Sequence, residues 1–256
     1  MTVFSCEHEL DAMLTCIYVA WASGKGFRNI RLMLEPIEQY TLFDEYIHVD
    51  ADEEKTQSVI DAVCNKISPY VYRELAYVSM AYEEDVLDNM YRIMLLGFNK
   101  GPHVLEMTQY REVMRNREIR RRLGMESCHF KEFVRFHEVN KSVYVAHVEP
   151  KSKIIVTLGH AFADRMPSEN WMIVDDTHRE AVIHPADQPY YFRKLEEDEL
   201  KQMLLTEMYN DTYTDLWQVF FDSIAIKERE NYRCQRNLFP IWTRKHVVEF
   251  QNQALI

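Results

Sequence analysis

The chain has 256 residues, of which 47% are hydrophobic, and a chain of this size can bury about 70–75% of its unfolded surface. Its formal net charge of −11 at pH 7 excludes nucleic-acid binding by the surface as a whole, because phosphates attract positive charge. The sequence has no charge-free apolar stretch of about 18 residues and no secretory signal, so we expect neither a membrane-spanning helix nor export.

The five cysteines are odd in number and widely spaced, and no Cys-x-x-Cys motif occurs. This pattern indicates neither a disulfide framework nor a zinc knuckle, and it favours a reducing cytoplasm. The sequence also lacks Walker A, Gly-x-Gly-x-x-Gly, His-Glu-x-x-His and Gly-x-Ser-x-Gly motifs. The cysteine patterns of zinc deaminases and radical-SAM enzymes are absent too. We therefore predict no metal and no cofactor.

The N-terminal half is predicted to be mostly helical, with one or two short strands. Strands are expected at 2–6 and 45–49, and the segment 27–44 between them reads as irregular. Pro69 is well placed to be the first residue of a helix. A later, heavily charged helix is expected to end at Gly124.

The second half changes to the alternating pattern of strands. Two hairpins are predicted, the first with Phe136 opposite Val145 and Arg135 opposite Ala146. A short helix separates the hairpins, and a long last helix begins somewhere in 197–215. The predicted strands are 133–139, 143–148, 171–175 and 181–184, and the short helix is 158–166.

These elements predict an α+β fold. It has a helical N-terminal lobe with one or two short strands, a central antiparallel sheet of two hairpins, and a long C-terminal helix. The length allows one large domain or two small ones. We interpret residues 1–256 as a single unit, with lobes over about 1–125 and about 126–256.

Histidines and a neighbouring carboxylate are the first candidates for chemistry. His160 and Asp164 lie four residues apart on a predicted helix, so they share one face. Such a pair can orient a general base or supply two metal ligands, but a zinc site needs three or four ligands. The alternative is an ordinary pair on a helix surface. Other histidines on or beside strands could converge or stay isolated; they are His137, His147, His178 and His184.

Two groups of basic residues could bind phosphates. On the charged helix, internal ion pairs with glutamates are the favoured alternative. In the C-terminal segment, Tyr232, Phe239 and Trp242 interleave with basic residues. That pattern is typical of single-stranded nucleic-acid binding, and packing of the aromatic residues onto the core explains it equally well. The helix group is Arg111, Arg115, Arg117, Arg120, Arg121 and Arg122; the C-terminal group is Arg229, Arg233, Arg236, Arg244 and Lys245.

Several short motifs occur in an order and spacing that point to one family. They are ELDAMLTCIYVAW near the N-terminus, LGFNKGP, FVRF, HAFADR, WMIVD and LWQVFFDSIAIKEREN. Through them nearly the whole chain resembles a bacterial family of DNA repair or DNA metabolism proteins built on a domain of unknown function. The matching motif residues are Phe133, Arg135, Phe136, His160, Arg165, Trp171, Asp175, Arg179, Arg229, Asn231 and Gln235.

The resemblance implies a pairing with a radical-SAM protein of DNA modification or repair. In some relatives the same domain is fused to a uracil-DNA-glycosylase-like module. This chain lacks the motifs of that module, so we do not expect glycosylase activity. The family supplies no catalytic residues that can be carried over.

The leading hypothesis is a cytoplasmic accessory protein of DNA metabolism that binds DNA, preferably single-stranded, a radical-SAM partner, or both. One alternative is an enzyme acting on DNA or a nucleotide, and another is a structural interaction module, so enzymatic activity stays open. The catalytic candidates are His160, Asp164, Arg165 and Asp175.

A polar cluster is expected around the sheet and its inserted helix. A buried arginine needs a partner, and Asp175 is the expected partner of Arg135. The members of this predicted polar cluster are Arg135, His160, Arg165, Asp175 and Arg179.

Overall fold

A computed structural model of the protein describes residues 1–139, 143–200, 212–224 and 226–250. The chain divides into two compact units, Met1–Leu123 and Gly124–Ile256, close to the predicted boundary between lobes. Both units combine helices with a β-sheet, which confirms the α+β class. That the two units form one domain stays a prediction.

The N-terminal unit contains the strands β1 (Thr2–Cys6), β2 (Ile30–Leu34) and β3 (Glu45–His48). They form a parallel sheet in the order β2-β1-β3. All five residues of β1 are buried, as is usual for the central strand of a parallel sheet. The prediction of one or two strands is wrong, because β2 lies in the segment that reads as irregular and is too short to show a period.

Helices make up most of the rest of this unit. Pro69 is the first residue of its helix, and the Ser68 side chain accepts a hydrogen bond from the Tyr70 amide, which confirms the predicted helix start. The charged helix does not end at Gly124, because a single glycine costs a helix only about 1 kcal/mol. The helices are α1 (Leu10–Ala22), α2 (Glu53–Lys66), α3 (Pro69–Val78), α4 (Val86–Lys100) and α5 (Arg111–Phe133), of which α5 continues into the C-terminal unit.

The C-terminal unit contains a five-stranded sheet. Its strands are β4 (His137–Val139), β5 (Val143–Val148), β6 (Trp171–Asp175), β7 (Glu180–His184) and β8 (Tyr191–Lys194), in the order β4-β5-β6-β7-β8. The β4–β5 and β6–β7 pairs are antiparallel, so the two predicted hairpins are confirmed. A third antiparallel pair joins β7 to β8.

The two hairpins are joined by a parallel pair, so the prediction of an antiparallel sheet is wrong. β5 and β6 run in the same direction, with Val148 opposite Asp175. The reason is the connection between them, which carries the helix α6 (Ile155–Arg165). A crossover that includes a helix returns the chain to the starting end of the sheet, so the next strand pairs in parallel.

The first hairpin differs from the prediction by one residue. His137, not Phe136, lies opposite Val145, and the last described pair is Val139 with Val143. Residues 140–142, which hold the predicted turn at Asn140 and Lys141, lie outside the described residues. The strand begins only at His137 because α5 occupies the chain as far as Phe133.

Helix α6 approaches the sheet closely through a glycine. A Cβ atom at Gly159 would lie 2.9 Å from Val182 Cγ2, a side chain that is fully buried on β7. Glycine at this position therefore sets the distance between the helix and the strand. The spacing fixes α6 against β7 and so supports the crossover between β5 and β6.

The C-terminal segment is made of short helices, and the predicted long C-terminal helix is not supported. Its helices are α7 (Thr212–Ile224) and α8 (Tyr232–Leu238), with single turns at Lys227–Arg229, Ile241–Thr243 and Val248–Phe250. The last helix has only seven residues, because Asn231 caps its start and Pro240 forces the preceding residue into an extended conformation. Residues 197–200 are helical, and 201–211 lie outside the described ranges. No helix in the described part of the chain is long and apolar enough to span a membrane.

Candidate functional site

Arg135 binds a glutamate of the C-terminal segment. Its Nη2 and Nε atoms donate hydrogen bonds to Glu249 Oε1 over 2.6 and 3.2 Å, and the Glu249 side chain is only 4% exposed. Although burial opposes ionisation, the hydrogen bonds from Arg135 hold the pKa of Glu249 below its usual value. The prediction that Asp175 is the partner of Arg135 is therefore wrong.

The buried Asp175 stabilises the turn between β6 and β7. Its Oδ1 accepts hydrogen bonds from the amides of Thr177 and His178, each over 3.0 Å, and its Oδ2 lies 2.7 Å from His178 Nδ1. Arg179 completes the turn with a φ of 57°, a left-handed conformation that is uncommon outside glycine. Both carboxylate oxygens of Asp175 are thus used within its own turn, which is why neither binds Arg135.

His160, Asp164 and Arg165 lie on the exposed face of α6. The Arg165 guanidinium packs 4.9 Å from the ring centre of Phe162, and its Nη1 donates to the carbonyl oxygen of Lys131 over 3.2 Å. Within the described ranges, no hydrogen bond or ion pair joins two members of the predicted polar cluster. The enzyme alternative therefore gains no support at these residues.

One strand histidine belongs to a buried polar group. His147 on β5 is buried, and its Nδ1 lies 2.8 Å from Asp176 Oδ1. Its ring centre is 5.9 Å from that of His246, which comes from the C-terminal segment. His184 instead stacks on Trp171, with ring centres 4.9 Å apart. Of the predicted histidine set, His137 and His147 are neighbours with ring centres 6.4 Å apart, whereas His178 and His184 have separate polar partners.

Glu149, Asp176 and His246 form what we call the carboxylate–histidine group. One ligand-type atom from each side chain lies within 4.8 Å of the others. A cavity of about 10 Å³, which is room for about one water molecule, is lined by His147, Glu149 and His246 among other residues. The Lys245 ammonium also contacts Glu149 Oε1.

No local sequence pattern reveals this group, and the reason is topological. Glu149 directly follows β5 and Asp176 directly follows β6, and only a parallel pairing of the two strands brings these positions together. His246 lies far along the chain, so no local pattern connects it to the others. The available signal was an acidic residue immediately after each of two buried strands.

Comparison with known families gives one match. The family described as a domain of unknown function (DUF4130) matches residues 84–249, well over half of the chain. The protein belongs to the DUF4130 family. No curated protein matches the chain. The predicted domain of unknown function is thereby confirmed, whereas the association with DNA metabolism stays a prediction.

The DUF4130 match includes α4, α5 and almost all of the C-terminal unit, while the strands β1 to β3 precede it. Both the carboxylate–histidine group and the basic C-terminal residues lie in the matched range. Candidate functional residues can therefore be sought within the DUF4130 domain itself.

In this DUF4130 protein several arginines of α5 form ion pairs with acidic residues. Arg115 binds Asp85 and Glu118, with N to O distances of 2.7 and 2.9 Å. Arg120 binds Glu74 over 2.5 Å, and Arg117 donates to a backbone carbonyl. The pKa of Asp85 is lowered mainly by its hydrogen bonds from Arg115, as is typical of a stable ion pair. Internal ion pairs thus account for Arg115, Arg120 and Arg122 on this helix face.

Arg244 and Lys245, two of the basic C-terminal residues of the DUF4130 domain, contact neighbouring residues. Arg244 donates to the Phe239 carbonyl oxygen and lies 4.6 Å from the ring centre of Phe250. Burial is the main cause that lowers the pKa of Arg244. Lys245 is exposed but bound to Glu149. Arg244 therefore holds the C-terminal segment in place, whereas Lys245 makes one exposed ion pair.

The remaining three basic residues are exposed. Arg229 and Arg233 form no ion pair and no side-chain hydrogen bond with any described residue. Arg233 and Arg236 lie three positions apart on α8, and Tyr232 and Arg236 lie four apart, so they share faces of that helix. We call this exposed set the C-terminal basic surface; it comprises Arg229, Tyr232, Arg233 and Arg236.

The aromatic residues of the segment divide between packing and exposure. Phe239 is buried and stacks on Phe133, with ring centres 3.9 Å apart. Trp242 lies against Phe130, and the Lys151 ammonium sits 4.9 Å from its ring centre. Tyr232 is 59% exposed. Packing therefore explains Phe239, while Tyr232 is accessible to a ligand.

Proposed function

We propose that this protein is a cytoplasmic accessory protein of DNA metabolism that binds single-stranded DNA through the C-terminal basic surface. The observation that carries the proposal is the exposure of Arg229 and Arg233 beside the exposed Tyr232. Arginine binds phosphate, and an exposed aromatic ring stacks on an unpaired base. The family resemblance supplies the expectation of a role in DNA metabolism.

Local charge makes such binding compatible with the acidic protein as a whole. Residues 226–245 contain six Lys or Arg residues and only two Glu residues, in a chain with a net charge of −11. Within a Debye length of about 8 Å at physiological salt, a ligand senses mainly the nearby charges. Binding is therefore expected to be local and strongly dependent on salt.

The double variant Arg233→Ala/Arg236→Ala is expected to lose most of the affinity for single-stranded DNA. About three phosphate contacts give a slope near −2 in a plot of log affinity against log salt, and two lost contacts flatten it by about 1.4. Fluorescence anisotropy with a labelled oligonucleotide measures both quantities, and duplex DNA of the same sequence should bind more weakly.

The matched control for this variant is Arg28→Ala/Arg31→Ala, which removes the same charge from exposed positions of the N-terminal unit. It should bind the oligonucleotide almost as the wild type does. Undetectable binding at low salt, or equal losses in both double variants, would exclude the C-terminal basic surface as the binding site.

We further propose that a radical-SAM partner binds the apolar surface of α7. Trp217 is 43% exposed and Phe220 is 50% exposed. Apolar groups of this size exposed side by side on a helix commonly mark a protein interface. The other exposed apolar residues of α7 are Leu216, Val219 and Ile224.

Phe220→Glu is expected to abolish co-purification with a radical-SAM protein of DNA modification or repair, because a carboxylate cannot be desolvated in an apolar interface. The measurement is a pull-down of the two purified proteins, with and without DNA. Phe27→Glu is the control, since Phe27 is 52% exposed in the N-terminal unit. A wild-type protein that fails to retain the radical-SAM protein in either condition would contradict the pairing.

A further inference from the structure

The carboxylate–histidine group is assembled by the parallel pairing of β5 and β6. The carboxyl ends of parallel strands meet at one edge of a sheet. Here the Asp176 amide donates to the Val148 carbonyl oxygen over 3.0 Å, which places Asp176 beside Glu149. His246 reaches the same edge from the turn between Ile241–Thr243 and Val248–Phe250. The three side chains of the group thus come from three separate segments of the chain and lie at one edge of the sheet.

The two distances from His246 to the carboxylates match those between ligands of a common ion. His246 Nε2 lies 3.5 Å from Asp176 Oδ2 and 3.6 Å from Glu149 Oε1. Hydrogen bonds between such atoms measure about 2.7–3.2 Å, so these contacts are too long. Two ligands that each lie about 2.1 Å from a tetrahedral ion are separated by about 3.4 Å. Ligand atoms of Glu149 and Asp176 lie within 4.8 Å of each other, so small side-chain adjustments would let one ion reach all three side chains.

A second observation points to the same position. The Asp176 side chain is only 6% exposed, and its Oδ1 is held by His147 Nδ1 over 2.8 Å. Its other oxygen, Oδ2, is buried, faces His246, and accepts no hydrogen bond from the described residues. A buried carboxylate oxygen without a donor is costly, and a cation at this position would remove that cost.

We propose that Glu149, Asp176 and His246 bind one divalent transition-metal ion of the Zn²⁺ or Mn²⁺ type. An imidazole with two carboxylates suits these ions, whereas Mg²⁺ and Ca²⁺ prefer sites made of oxygen alone. His147 acts as a positioning residue, because its hydrogen bond fixes the orientation of the Asp176 carboxylate. Three protein ligands leave at least one coordination position for water.

Lys245 is the competing cation at the site. Its ammonium contacts Glu149 Oε1, but its side chain is 63% exposed and is free to turn into solvent when an ion binds. The alternative to a bound ion is a protonated His246 that attracts the two carboxylates. That arrangement predicts no metal binding, so a titration distinguishes it from the proposal.

The test is a titration of the chelator-treated full-length protein with MnCl₂, followed by electron paramagnetic resonance of free Mn²⁺, and with ZnCl₂ by calorimetry. One ion per chain is expected, and Mn²⁺ avoids binding by the exposed thiols of Cys128 and Cys234. The melting temperature should rise with metal concentration, as for any ligand that binds only the folded state. MgCl₂ at the same concentration should have a much smaller effect.

Two variants locate the ion. Glu149→Gln/His246→Ala changes partly exposed side chains and is expected to lower the affinity more than about 100-fold, beyond the range of a supporting residue. His160→Ala/Asp164→Asn changes an exposed histidine and carboxylate on α6 and should bind as the wild type does. Absence of binding, or equal affinity in the two double variants, would overturn the proposal. Neither outcome depends on whether the protein binds DNA.

Discussion

Glu126→Ala is expected to lower the free energy of unfolding of the C-terminal unit by about 3–5 kcal/mol. Glu126 lies on α5 and is 5% exposed. Its Oε1 accepts hydrogen bonds from the amides of Lys151 and Ser152 over 2.6 and 3.1 Å, and its Oε2 accepts from Ser152 Oγ over 2.6 Å. Alanine would remove the carboxylate that accepts these three hydrogen bonds just before α6 begins.

Urea denaturation followed by tryptophan fluorescence measures this loss. Trp171, Trp217 and Trp242 lie in the C-terminal unit, so the signal reports mainly on that unit. Glu132→Ala is the control, because Glu132 is exposed on the same helix and its removal should change stability by less than about 0.5 kcal/mol. Similar midpoints for both variants would show that the Glu126 carboxylate is not needed at the start of α6.

Arg135→Ala is expected to destabilise the C-terminal unit by about 2–4 kcal/mol at neutral pH. The substitution leaves the Glu249 carboxylate, which is 4% exposed, without its arginine partner. Arg135 itself is 27% exposed, so the loss should be smaller than for a fully buried pair. Adding Glu249→Gln to this variant removes the buried charge and should restore part of the stability, which a double-mutant cycle measures.

The loss caused by Arg135→Ala should depend on pH. In the wild type the pKa of Glu249 is below its usual value, so the ion pair stabilises the fold above about pH 4 and is lost as the pH falls through the lowered pKa. In the variant, burial without Arg135 favours the neutral form of Glu249, so protonation in acid removes the cost of the buried charge. The difference in unfolding free energy should therefore shrink between about pH 7 and pH 4; a constant difference would contradict the role of charge.

The sequence predicts secondary structure correctly where residues within one short segment determine it. Pro69 predicted the start of α3, and alternating patterns predicted both hairpins. The predicted helix end at Gly124 is wrong, because the cost of one glycine is small beside the burial of residues such as Phe130 on the next turns. That burial depends on tertiary packing, which a local pattern does not contain.

The candidate site depended on pairings between distant segments. Arg135 binds Glu249 and not Asp175, because both carboxylate oxygens of Asp175 accept hydrogen bonds within its own turn. Glu149 and Asp176 became neighbours only through the parallel pairing of their strands. A sequence shows which side chains can accept a cation or a hydrogen bond, but it does not show which of them meet.

The parallel pairing of β5 and β6 also sets an order for folding. The hairpins β4–β5 and β6–β7 close short loops and can form early, whereas the β5–β6 pair forms only after residues 149–170 have brought α6 across the sheet. Until then each hairpin exposes an unpaired strand edge, and such edges pair with other molecules. Because α6 packs closely on β7 at Gly159, we expect substitutions there to slow the formation of the β5–β6 pair and to increase aggregation during refolding.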